Sequence, residues 1–161
     1  MVKVRLYLVR HGKTMFNTIG RAQGWSDTPL TAEGERGIQE LGIGLRESGL
    51  QFERAYSSDS GRTIQTMGII LEELGLQGKI PYRMDKRIRE WCFGSFDGAY
   101  DGDLFMGIIP RIFNVDHVHQ LSYAELAEGL VEVDTAGWAE GWEKLSGRIK
   151  EGFEAIAKEM E

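Results

Sequence analysis

The sequence predicts an α/β domain in which helices cover an open, mainly parallel sheet. Three observations carry this reading. Short runs rich in β-branched and large apolar residues alternate with longer segments whose apolar residues recur at helical spacing. Glycines and capping residues stand at the boundaries between them. The order of strand, helix, strand, helix, strand is the one that right-handed crossovers turn into a parallel sheet. With 161 residues and 42% hydrophobic content, the chain suits one domain over residues 1–161 with a single sizeable core.

Residues 4–9, Val-Arg-Leu-Tyr-Leu-Val, have the composition of a buried first strand, ended by His11-Gly12. A polar, glycine-containing loop runs on to Pro29. Thr31 is then placed as a helix N-cap, with Glu33 near the positive end of the helix dipole. Ile38, Leu41 and Leu45 repeat at helical spacing, and Gly49 is a stop. Phe52 to Ser57 predicts a second strand, and residues 60–74 a second helix with Ile64, Met67, Leu71 and Leu74 on one face and Gly75 past its end.

A weaker third strand is expected around Ile80 to Ile88, where Pro81 suggests an edge or an entry. Beyond it the pattern turns mainly helical. Ser122-Tyr123-Ala124-Glu125 has the form of a capping box. Residues 137–160 form the clearest amphipathic helix, with Trp138, Trp142, Leu145, Ile149, Phe153 and Ile156 in one stripe. Such a helix should lead into another parallel strand, so a further C-terminal portion is expected beyond Glu161. Without it, an open sheet edge would invite self-association.

Charge narrows the partners. With 25 acidic and 19 basic residues the net charge is −6, which disfavours nucleic acid and anionic membranes. An anion site must therefore be a local cluster, and Arg10, Lys13 and Arg21 are candidates. No apolar run approaches the ~18 residues of a membrane span. The N-terminus has no secretion-signal pattern, and Cys92, the only cysteine, excludes an internal disulfide framework. A cytoplasmic protein is expected.

The strongest local signal is Leu8-Val9-Arg10-His11-Gly12-Lys13-Thr14 with Asn17. A histidine at the C-terminal mouth of a parallel strand sits where open α/β sheets bind ligands. An adjacent arginine can fork two phosphate oxygens. Gly12 lets the backbone turn sharply and approach a ligand. A neutral imidazole can attack phosphorus through one ring nitrogen while the other is held by a backbone acceptor; the sequence does not say which.

These residues resemble the R-H-G-x-T-x-x-N signature of the histidine phosphatase superfamily, which includes cofactor-dependent phosphoglycerate mutases. The resemblance continues through Gly20 to Gly34, by way of Gln23-Gly24-Trp25 and Thr28-Pro29-Leu30-Thr31. It extends through Ala55-Tyr56-Ser57-Ser58 followed by Arg62-Thr63, and ends in Arg89-Glu90-Trp91-Cys92-Phe93-Gly94 with Asp97-Gly98. It covers roughly the first 100 residues, and four segments in order are far more specific than an isolated R-H-G. It implies a three-layer α/β/α domain of phosphoglycerate mutase type, lacking its C-terminal strands.

The resemblance also implies roles. His11 would be the nucleophile that becomes phosphohistidine. Arg10 and Arg62 would clamp the phosphoryl oxygens and stabilise transition-state charge. Asn17 would hydrogen-bond the phosphoryl group, and Gln23 with the Gly24 backbone would reach substrate oxygens. Glu90 would be the general acid and then the base, its pKa raised by partial burial beside Trp91 and Phe93. The substrate would be a small phosphorylated metabolite. No metal and no cofactor are implied, because the arginines supply the positive charge.

Two departures stand out. The family's second histidine belongs to a strand after the long helix, beside the first strand, where this sequence ends. Asp97 stands where glutamate is common. The segment after Glu90 lacks the arginine and tyrosine typical of mutases, which favours phosphate monoester hydrolysis. A phosphomutase is the first alternative, and a catalytically inactive phospho-ligand or protein-binding module the second. The bland readings are a structural histidine at a strand end for His11, a surface pairing for Arg62 and a surface carboxylate for Glu90. For Lys13 a solvated loop charge is the expectation, for His117 and His119 a surface role, and for Cys92 a structural one.

Overall fold

In a computed structural model, residues 4–160 are described. The chain divides into two compact units. The first comprises Met1–Met15, Asp27–Arg89 and Gly152–Glu161, and the second Phe16–Ser26 and Glu90–Glu151.

In the first unit, helix α2 (Ala32–Glu47) begins where its cap was expected: the Thr31 side chain accepts from the Gly34 N–H at 3.0 Å. Gly49 takes the left-handed conformation (φ 71°) just past its end. Ile38 is buried, whereas Leu41 on the expected apolar face is exposed. Strand β1 (Ala55–Ser57) feeds helix α3 (Gly61–Glu73), and Gly75 (φ 65°) lies just beyond it. Strand β2 (Tyr82–Met84) returns parallel to β1, pairing Ala55 with Tyr82 and Ser57 with Met84. This β-α-β crossover is the parallel unit that the alternation predicted. The core gathers Leu30, Ile38, Ala55, Ile70, Leu71 and Ile156.

The first expected strand requires correction. Residues 4–9 make no strand pairing, and among the described residues β1 pairs with β2 alone. Leu6, Tyr7, Leu8 and Val9 are exposed, Leu8 to 77%. Tyr7 packs edge-on against Phe52, with ring centroids 5.5 Å apart. A groove of about 1180 Å³ separates this run from β1, with Phe153 and Ile156 among its lining residues. Strand composition needs a neighbour to become a ladder, because an isolated strand leaves its backbone groups to water.

In the second unit, helix α1 (Met15–Ile19), whose first residue belongs to the first unit, is a single short helix. A π-helical stretch, Gly102–Ile108, runs into helix α4 (Ile109–Phe113), which stops at Asn114 in the left-handed conformation. Helix α5 (Tyr123–Val133) opens with the expected capping box, Ser122 and Glu125 bonding reciprocally. Ala22, Trp91, Phe93, Leu104, Ile109, Leu126, Ala127, Leu130 and Leu145 form one apolar core. Trp91 and Phe93 lie 5.2 Å apart within it.

Helix α6 (Trp142–Glu159) begins five residues later than the stripe implied, so its first ten residues belong to the second unit and the rest to the first. Trp138 is outside the helix and 71% exposed. The Asp134 carboxylate accepts from the N–H groups of Ala136, Trp138 and Ala139. Those bonds give the backbone an alternative to helix, and Gly137 at φ 70° completes the turn. Burial alone would raise the Asp134 carboxyl, but the Ser95 hydroxyl and these amides outweigh it and hold it far below the usual carboxylate range.

Candidate functional site

The residues singled out by the sequence fall into two sets. Arg10, His11 and Arg62 belong to the first unit; Asn17, Gln23, Gly24 and Glu90 belong to the second.

In the first unit, His11 sits half-buried in a stretch without regular secondary structure. Its Nδ1 lies 2.8 Å from the carbonyl of Gly12. A carbonyl only accepts, so Nδ1 carries the proton and the lone pair of the neutral ring lies on Nε2. The Gly12 N–H in turn donates to the Thr66 hydroxyl (3.1 Å), which donates to the carbonyl of Arg62 (2.8 Å). One buried hydroxyl thus ties the histidine loop to the first turn of α3. Gly12 has no room for a side chain: a Cβ there would lie 2.9 Å from the Gly34 carbonyl oxygen and from Ile38.

Arg62, second residue of α3, is 1% exposed. Its Nη1 pairs with Asp27 Oδ1 at 3.0 Å, and Asp27 also accepts from the Arg62 N–H at 3.4 Å. A buried guanidinium needs such a counter-charge. Sequence reasoning missed Asp27, which lies 35 residues away in a loop without regular secondary structure. Arg10 is exposed. Lys13, expected as a solvated charge, is exposed and pairs with Glu33 at 2.8 Å.

In the second unit, Asn17 is exposed on α1 and Gln23 is half-buried. The Gly24 N–H, part of the backbone expected to reach substrate oxygens, donates to Asp97 Oδ1 at 2.8 Å. Asp97 is the buckle of this region. Oδ1 also accepts from the Ser26 N–H and hydroxyl, while Oδ2 accepts from the Phe93 N–H. It joins the 24–26 loop to the 92–93 segment, a role that its place in the sequence motif does not announce. Arg21 lies over the Tyr100 ring, 4.1 Å from its centroid, and donates to the Gly98 carbonyl.

Glu90 differs from expectation. Trp91 and Phe93 are buried as anticipated, but Glu90 itself is exposed. The two aromatic rings point into the core, and Glu90 Oε1 accepts the N–H of Trp91 (2.8 Å). Burial beside the aromatics therefore does not occur. Cys92 is buried as a structural residue, and that burial, with the Asp97 and Glu140 carboxylates nearby, pushes its thiol up. His117 and His119 are exposed.

Residues 6–104 match the model of the histidine phosphatase superfamily (branch 1). A 2,3-bisphosphoglycerate-dependent phosphoglycerate mutase of Treponema pallidum is 42% identical over 55 residues, 34% of this chain and 22% of that protein. The crystal structure of phosphoglycerate mutase from Bacillus anthracis superposes with a TM-score of 0.84 at 36% identity. That match covers 92% of this chain and 65% of the other. Bacillus stearothermophilus YhfR superposes with a TM-score of 0.72 at 27% identity, over 94% of this chain and 66% of the other. The chain thus spans about a fifth of the first relative's length and under two thirds of the solved mutase. The histidine loop, the helix that carries Arg62 and the Glu90 segment all lie inside the matched stretch, and the protein belongs to the histidine phosphatase superfamily (branch 1).

Proposed function

We propose that the protein hydrolyses a small phosphate monoester through a phosphohistidine on His11. The observation that carries this reading is the Nδ1–H of His11 donating to the Gly12 carbonyl, which makes Nε2 the nucleophilic atom. In the first step the Nε2–P bond forms and the ester P–O bond breaks. The Glu90 carboxylic acid gives its proton to the leaving oxygen, and an alcohol departs. In the second step the Glu90 carboxylate takes a proton from water. The oxygen attacks phosphorus, the N–P bond breaks and phosphate leaves. Arg10, Arg62 and Asn17 hold the phosphoryl oxygens and offset their growing charge. Gln23 contacts the substrate.

The test is phosphate incorporation from a small labelled ester, with His11→Ala as control. Acid-labile, alkali-stable label is expected in the wild type and not in the variant. An unlabelled but folded wild type, or label surviving in His11→Ala, would overturn the reading. The Treponema and B. anthracis relatives favour a second reading, in which the phosphoryl group moves to another hydroxyl. A chase of labelled protein with a phosphoglycerate separates the two, since faster transfer to the sugar acid than to water selects the mutase.

A further inference from the structure

The segment 89–93 has no regular secondary structure, so no ladder or helix holds the backbone that carries Glu90. Besides Asp97, which accepts the Phe93 N–H, a buried ion pair holds it. Glu140 is fully buried, and Arg148 grips it with a two-pronged fork, Nε to Oε1 and Nη2 to Oε2, both at 2.6 Å. Four further hydrogen bonds of this pair land on the Glu90 segment. Glu140 Oε2 accepts the Cys92 N–H (3.1 Å), and the Glu140 carbonyl accepts Trp91 Nε1 (2.8 Å). The Glu140 N–H donates to the Cys92 carbonyl (3.1 Å). Arg148 Nη2 reaches past the carboxylate to the carbonyl of Glu90 itself, 2.7 Å away. The same carbonyl accepts Trp25 Nε1 at 3.0 Å.

A buried ion pair is no more stabilising than a well-packed apolar pair of similar size, so stability alone does not explain it. Its geometry does. An exposed carboxylate has no packing to hold it, and its position follows from the backbone beneath it. We infer that Glu140 and Arg148 are positioning residues that hold the Glu90 backbone so that its carboxyl meets the leaving oxygen. This rests on the acid/base reading of Glu90.

A general acid matters most for a poor leaving group and little for one that departs unprotonated. The test compares labelling of His11 by p-nitrophenyl phosphate, a good leaving group, and by glycerol phosphate, a poor one. Arg148→Lys keeps the charge but cannot both fork Glu140 and reach the Glu90 carbonyl. It should cut labelling by glycerol phosphate about 100-fold and by p-nitrophenyl phosphate by no more than about threefold. Trp25→Phe, which leaves the buried pair intact, should show the same selectivity more weakly, and it serves if Arg148→Lys fails to fold. Equal losses with both esters would mean a merely structural role and overturn the inference. If Glu90→Gln is selective and both positioning variants are not, the inference alone is overturned. If Glu90→Gln shows no selectivity, or the wild type takes no label, the acid/base reading fails and the positioning role falls with it.

Discussion

Residues 4–9 and residues 89–93 invert each other. The first run has the composition of a buried strand, yet it forms no ladder and exposes four large apolar side chains in succession. The second run has no regular structure, yet Trp91, Cys92 and Phe93 are buried and its backbone is gripped by Glu140, Arg148, Asp97 and Trp25. Apolar content therefore says what a segment is suited to, and the partners that reach it decide how firmly it is held. A segment without secondary structure can be among the best anchored parts of a fold when distant side chains satisfy its backbone groups.

This contrast can be broken most forcefully at Glu140. Glu140→Ala leaves the Arg148 guanidinium without its buried counter-charge and should cost about 3–5 kcal/mol in urea denaturation. In the first unit, Thr66→Val removes the acceptor of the buried Gly12 N–H and should cost about 1–3 kcal/mol by the same measurement.

Acid sharpens the comparison next. In the folded state the Glu140 carboxyl is pulled below its usual range: burial opposes this, but the Arg148 fork and the Cys92 N–H outweigh it. Asp134 is lowered as well. Carboxyls depressed on folding contribute stability that is complete above their unfolded values and drains as pH falls through the folded ones. The urea midpoint should therefore fall below about pH 4, and Asp134→Asn should make the fall shallower. A slope unchanged in that variant would remove Asp134 from the account. The smallest effect belongs to the exposed run. Leu8→Ser should change stability by less than about 0.5 kcal/mol, whereas a loss above about 2 kcal/mol would mean that residues 4–9 are buried in solution.

The features legible beforehand share a short reach. Thr31 and Gly34, or Ser122 and Glu125, meet across three residues, and the glycines at 49 and 75 act at their own positions. The start of α6 was misjudged because the Asp134 turn competes for the same backbone and leaves no trace in the apolar stripe. Of the candidate site, the motif residues stand out in the sequence, because their types and spacing carry the family resemblance. Their supports do not. Asp27 reaches Arg62 across 35 residues, Glu140 reaches Cys92 across 48, and Arg148 reaches Glu90 across 58. A faint signal for Arg148 existed, since it follows buried Leu145 by three positions and so shares its helix face.

The sequence by itself determined the caps of α2 and α5, the parallel β-α-β unit and which residues stand in the family motif, because each depends on residue type and on neighbours within about a turn. Only the tertiary structure decided that Nε2 of His11 bears the lone pair, that Glu90 stands exposed on a clamped backbone, and that Asp97 and Asp27 are committed to inward contacts. Those outcomes depend on which donor and acceptor meet across long separations, and a buried polar group must find such a partner wherever the chain brings one within reach.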